Sequence, residues 1–145
     1  MTDFRKLSDT VLASPQITPA DIDAAKAQGV TLIVNNRPDG ESPDQPAGGD
    51  IESAAAAAGI DYLAIPVTSA GFSQPQVKAM SEALGGAEGK VLAYCRSGTR
   101  STLLWSLAQA SMGADPDAVT AAADAGYDVS PVRPAMDMFA GQARS

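Results

Sequence analysis

The stretch YCRSGTRS, residues 94–101, concentrates the reactive side chains of this sequence. It holds the single cysteine, Cys95, and an arginine, Arg100, with four residues between them. Arg96 and Arg100 bracket the cysteine and are two of only ten basic residues in an acidic chain. Gly98 permits the backbone turn by which successive N–H groups curl around an anion. If a helix starts just after the loop, the N–H groups of residues 96–101 point at the same place, and a helix amino terminus favours negative charge there. These groups are expected to lower the Cys95 pKa. From a free value of about 8.5, a drop of about two units makes thiolate the main form at neutral pH. Arg100 is then placed to fork onto two oxygens of a bound group. A phosphoryl group and a sulfur-bearing donor both suit this arrangement. The plainer reading, a buried cysteine acting as core filler beside two solvated arginines, explains the trio less well.

Composition narrows the chemistry. The sequence contains no histidine, which removes Ser-His-Asp and Cys-His mechanisms and most zinc sites, so no metal or cofactor is expected. A formal net charge of −7 argues against an extended nucleic-acid surface or a patch for anionic membranes. No apolar run approaches the roughly 18 residues of a membrane span, and no basic segment leads into an apolar one. The expectation is a soluble, cytoplasmic protein folded as one domain over residues 1–145.

The elements that must position the loop follow from periodicity and punctuation. Thr18, Pro19 and Asp21 form a capping-box start for a helix that stops at Gly29. The run VTLIVNN, residues 30–36, is β-branched and apolar throughout, as in a strand buried on both faces. A long loop rich in proline and glycine follows over residues 37–49. DIESAAAAAG then predicts a helix, IDYLAIPV a strand, SQPQVKAMSEALGG a helix capped by Ser73, and KVLAYC a strand. STLLWSLAQASM is apolar nearly all round and predicts a helix buried against the sheet, with Leu103, Leu104, Trp105 and Leu107 in the core. Asp115-Pro116 and Ser130-Pro131 start two further helices. Alternating strands and helices predict an α/β fold with three layers: a mainly parallel central sheet of four to five strands and helices on both faces. In such sheets ligands bind outside the carboxyl ends of the strands. Three ends converge there: Asn36-Arg37, Val67-Thr68-Ser69, and Cys95. Met112, Met136 and Met138 are read as packing, and Tyr127 and Arg133 as a helix junction.

YCRSGTRS resembles the active-site loop of rhodanese-type sulfurtransferases and, more loosely, the cysteine-arginine signature of protein tyrosine phosphatases. From ASPQITPADIDAAKAQGVTLIVNNRPDGE through IPVTSAGFSQPQV to AGYDVSPVRPAMD, the chain resembles a bacterial family whose members are labelled sulfur transferase or beta-lactamase-hydrolase-like phosphatase. The resemblance implies a protein-tyrosine-phosphatase-like fold of the dual-specificity type. It also implies occurrence beside persulfide-oxidising domains, and hence a persulfide-oxidising enzyme as a partner.

Two features weigh sulfur against phosphorus. The phosphatase signature has one residue more between cysteine and arginine than the four found here, Arg96, Ser97, Gly98 and Thr99. Resembling phosphatases also carry an aspartate as general acid in a loop after an earlier strand, whereas PVTSAGFS has no acid; Asp39 or Glu41 would have to substitute. Forgoing a general acid sacrifices about 100-fold or more in monoester hydrolysis, while a sulfite or thiolate leaves without protonation. The expectation is therefore a sulfurtransferase. Cys95 would take a sulfane sulfur from a small anionic donor, thiosulfate or a persulfide, and pass it to a thiol acceptor. Arg100 and Arg96 would bind the donor, Ser97, Gly98, Thr99 and Ser101 would form the cup, and Arg37 would sit across the crevice. The alternative is a phosphatase working through a phosphocysteine, and a third reading is a binding module that keeps the cup without turnover.

Overall fold

A computed structural model describes residues 4–68, 71–123 and 127–144. Among these residues, five strands form one mixed sheet in the order β1-β2-β5-β3-β4. They are β1 (Arg5–Ser8), β2 (Val11–Ser14), β3 (Val30–Asn35), β4 (Asp61–Ala64) and β5 (Lys90–Tyr94). Only the β1–β2 pair is antiparallel; β2–β5, β5–β3 and β3–β4 are parallel. Among the described residues, six α-helices accompany the sheet: α1 (Ile22–Ala27), α2 (Gly48–Ala57), α3 (Gln74–Gly86), α4 (Thr99–Ser111), α5 (Pro116–Ala123) and α6 (Arg133–Arg144). The α/β architecture with helices on both faces is the one the alternating pattern predicts.

Strand β5 shows how the sheet divides the core. Successive side chains of a strand point to opposite faces. Val91 and Ala93 join a cluster with Leu104 and Leu107 of α4, Met80 of α3 and Met136 of α6, while Leu92 and Tyr94 join one with Ile22 of α1 and Ile51 of α2. Because both faces are covered, the strand is an unbroken apolar run instead of an alternating one. Helix α4 lies beneath the sheet with residues on nearly all its sides buried, which explains the weak amphipathicity of STLLWSLAQASM. Met112 and Met138, read from the sequence as packing, are exposed instead.

The sequence carries little signal for β1 and β2, each only four residues long. Strand β2 is defined by its parallel pairing with β5, from Val11 opposite Val91 to Ser14 opposite Tyr94, a contact invisible in local periodicity. Strand β4 is shorter than IDYLAIPV suggests, but the chain beyond it still follows β3. The Ile65 and Val67 amides donate to the Asn35 and Asn36 carbonyls at 2.9 Å each. Of the third predicted strand end, Val67 and Thr68 are described and Ser69 lies outside the described residues. Among the described residues, no helix is long and apolar enough to cross a membrane.

Candidate active site

Cys95 follows the last residue of β5 and is fully buried. Its N–H donates to the Ser14 carbonyl at 3.3 Å, and the Gln16 N–H donates to the Arg96 carbonyl at 3.2 Å, so the β2 segment flanks the start of the loop. The chain then turns through Gly98, which caps α4 in the left-handed region at φ +92°. A side chain at Gly98 would also collide with the Tyr127 hydroxyl, so both conformation and space call for glycine. The turn aims the Gly98 N–H at Cys95 Sγ, 3.1 Å away. Thr102 of α4 holds the far side of the turn, donating to the Gly98 carbonyl from its N–H at 3.0 Å and from Oγ1 at 2.9 Å. Ser97 Oγ donates to Thr99 Oγ1 at 3.0 Å and accepts from the Thr99 N–H at 3.3 Å, bracing the rim of the cup.

Arg100 stands in the first turn of α4. Its Nη1 donates to the Val67 carbonyl at 2.7 Å, tying the loop to the segment after β4. The same guanidinium forks onto Glu41, Nη1 to Oε2 at 2.7 Å and Nη2 to Oε1 at 2.8 Å. Glu41 Oε1 also accepts from Arg37 Nε at 3.0 Å. One carboxylate therefore bridges the two arginines that the sequence places on opposite sides of the crevice. Arg37 itself is buried, with Nη1 on Gln16 Oε1 at 3.0 Å and Nη2 on Ser42 Oγ at 3.3 Å. Its N–H donates to Asn35 Oδ1 at 2.9 Å, which fixes the turn out of β3.

The electrostatics follow from this bridge. The Arg100 hydrogen bond, helped by that of Arg37, outweighs desolvation and holds the Glu41 carboxyl at about 2, so it is ionised at neutral pH. Arg100 is in turn held above its ordinary range, first by Glu41 and to a lesser degree by the Cys95 sulfur. Glu41 in this position is a base without a proton to give. Asp39 is engaged elsewhere, its Oδ1 accepting from the Gly48 N–H at 2.8 Å at the start of α2. Neither carboxylate is set up as a general acid in this arrangement.

Of the residues singled out in the sequence, the structure gathers Cys95, Gly98, Arg100 and, through Glu41, Arg37. The Arg96 side chain is exposed and contributes its backbone carbonyl. Ser101 is buried with its hydroxyl unpartnered, as are Trp105 Nε1 and Asn36 Oδ1. Gln16 and Ser42 also reach the site with nothing in their local sequence to mark them, as does Tyr127, which the sequence assigns to a helix junction.

A mixed α/β sheet with a buried cysteine at the carboxyl end of a central strand, followed by a glycine turn and an arginine in the next helix, defines the protein-tyrosine-phosphatase-like class of fold. Residues 3–112 match the family model described as beta-lactamase hydrolase-like protein, phosphatase-like domain, and the chain belongs to this family. The beta-lactamase hydrolase-like protein of Agrobacterium fabrum is 41% identical over 104 residues, covering 72% of this chain and 24% of the relative. The chain thus spans about a quarter of the length of that relative. NMA1982 of Neisseria meningitidis, provisionally described as a phosphatase, is 34% identical with a TM-score of 0.80, over 92% of this chain and 96% of the other. The active form of Tk-PTP shares the fold at 17% identity, with a TM-score of 0.74 over 96% of this chain and 97% of the other.

These relationships overturn the expectation of sulfur transfer and the rhodanese-type reading of the loop, because the family and the similar structures are phosphatase-like. The four-residue spacing misled for a physical reason. Residue count limits the length of a loop but does not set where its donors point. With Gly98 left-handed, the shorter segment still turns an N–H onto the sulfur, and it places Arg100 in the first turn of α4.

Proposed function

We propose that the protein is a phosphatase that hydrolyses phosphate monoesters through a phosphocysteine at Cys95. The observation that carries this reading is the Gly98 N–H on Cys95 Sγ with Arg100 on the same loop, in a chain of a phosphatase-like family. The Cys95 thiolate attacks phosphorus as the ester P–O bond breaks, and the leaving alkoxide takes a proton from solvent. Water then attacks the phosphocysteine, the P–S bond breaks, and inorganic phosphate leaves with Cys95 restored as thiolate; the proton released by water balances the one taken by the alkoxide. The loop N–H groups and Arg100 stabilise the equatorial oxygens of the transferring phosphoryl group, where preorganised donors do most in such reactions.

In this reading Glu41 marks where two substrate oxygens bind. Its carboxylate oxygens accept the Arg100 fork as two phosphoryl oxygens would, and a substrate must displace them. Ser97, Thr99 and Ser101 shape the cup, while Arg37 holds Glu41 in its displaced position and Arg96 adds positive charge at the rim. With no acid among the described residues poised to protonate the leaving oxygen, esters of acidic alcohols such as phenols are the favoured substrates, since they leave without that help. The test is turnover of p-nitrophenyl phosphate with mass spectrometry of the quenched enzyme. Wild type should release phosphate and carry one phosphoryl group on Cys95, and Cys95→Ser should do neither. Wild-type turnover that survives Cys95→Ser would refute the proposal.

A further inference from the structure

We infer that Tyr127 is a positioning residue for the active-site loop: its hydroxyl locks the peptide between Ser97 and Gly98 so that the Gly98 N–H faces the Cys95 sulfur. The argument rests on one planar peptide unit. Tyr127 OH donates to the Ser97 carbonyl at 3.2 Å, and the N–H on the other side of that same peptide bond donates to Cys95 Sγ at 3.1 Å. In a trans peptide the C=O and N–H point in opposite directions, and the described residues contain no cis bond. Holding the carbonyl toward Tyr127 therefore holds the N–H toward the sulfur, and turning the unit over would lose both hydrogen bonds together.

Such a lock is needed here because the unit ends in glycine. Gly98 has φ +92° and no side chain, so a flip of this peptide meets the least steric resistance of any in the loop. Tyr127 packs so closely over Gly98 that an added Cβ would strike its hydroxyl. The residue is in turn held through both its ring and its backbone. Arg5 of β1 lies over it, 5.0 Å from the guanidinium carbon to the ring centroid, and the Tyr127 N–H donates to the Ala123 carbonyl at the end of α5 at 2.8 Å. The hydroxyl also polarises the peptide, strengthening the donor at its other end. The hydrogen bonds that join Arg100 and Arg37 to Glu41 are separate from this set. Tyr127 lies outside residues 3–112, the part matched by the family model, so this support comes from the carboxyl-terminal part of the chain.

The inference rests on Cys95 as the nucleophile but not on which ester it attacks, and its test separates the two. Tyr127→Phe keeps the ring and its stacking and removes only the hydroxyl. In 1H-15N spectra of the ligand-free protein, the Gly98 amide should move in this variant while the amides of α2 and β3 stay in place. Orthovanadate should protect Cys95 from iodoacetamide in both proteins, with the concentration for half-protection rising about two- to tenfold in the variant, the range of one neutral hydrogen bond. With p-nitrophenyl phosphate, KM should rise by a similar factor. An unmoved Gly98 amide with unchanged vanadate protection would overturn the inference, whether or not the ester turns over. Should Tyr127→Phe fail to fold, hydrogen exchange in the wild type decides. A Gly98 amide protected well above those of Ser97 and Thr99 supports the lock, and equal exchange of all three refutes it.

Discussion

Replacing Glu41 with glutamine tests whether the carboxylate that bridges Arg37 and Arg100 competes with substrate. Glu41 accepts three hydrogen bonds from guanidinium groups, at 2.7, 2.8 and 3.0 Å. Its pKa falls from 4.5 to about 2. Taken at face value that shift would be about 3 kcal/mol, at 1.36 kcal/mol for each pKa unit. The side chains of Arg100 and Glu41 retain 22% and 29% of their exposure, however, so solvent screens the pair. Between exposed pairs, at up to about 1 kcal/mol, and charged hydrogen bonds, at about 1.5–3 kcal/mol, a value near 1 kcal/mol is appropriate. Glutamine keeps the shape and weak acceptor capacity while removing the charge, so an incoming oxyanion no longer has to displace an ionised rival. The expected result is an affinity for inorganic phosphate about fivefold tighter, since RT is about 0.59 kcal/mol. It is read as product inhibition of p-nitrophenyl phosphate hydrolysis, with KM lowered in parallel and kcat nearly unchanged. A general acid would behave in the opposite way, with kcat falling about 100-fold or more. A collapse of kcat, or a phosphate affinity that weakens, would refute the view of Glu41 as a displaced competitor.

Three other expectations follow from the same geometry. Because the folded-state pKa of Glu41 is depressed, its stabilising effect is complete above about 4.5 and lost as pH falls toward about 2; the stability gap between wild type and Glu41→Gln in urea titrations should narrow across that window. Gly98→Ala must adopt φ +92° and press on Tyr127, and it should cost about 2 kcal/mol or more, a fall in Tm of about 5 °C by calorimetry, together with loss of vanadate protection of Cys95. Ile33→Ala in the fully buried centre of β3 should destabilise the fold by about 2–5 kcal/mol in urea unfolding, with kcat of the surviving folded protein close to wild type.

Much of the scaffold is legible in the linear order of residues because it is made by short-range rules. Ser73 accepts from the Gln76 N–H while Gln76 Oε1 accepts from the Ser73 N–H at 2.8 Å, and that capping box reads directly from SQPQ. Thr18 and Asp21 mark the start of the helical segment that leads into α1 in the same way, with the Thr18 N–H on Asp21 Oδ2 at 2.8 Å. The buried strands β3 and β5 announce themselves by unbroken apolar runs. Strands β1 and β2 do not, since four residues carry no usable period and β2 becomes a strand by lying beside β5. Arg133, read as part of a helix junction, does join α5 to α6 through Asp117 at 2.6 Å and Asp137 at 3.0 Å. Tyr127, read the same way, reaches the active-site loop instead.

What the amino-acid sequence determined by itself was the reactive kit: one cysteine, a glycine able to turn the backbone left-handed, and an arginine at the start of a helix, all within six consecutive residues. Which partners surround that kit was decided only by the tertiary structure. Glu41 meets Arg100 across 59 positions, Tyr127 meets Ser97 across 30, and Gln16 meets Arg37 across 21. Contacts of that range depend on the order and register of the strands, which bring the ends of β2, β3 and β5 side by side. Residue spacing within the loop reports none of it, and so the count between Cys95 and Arg100 was a poor guide to the chemistry that the assembled site supports.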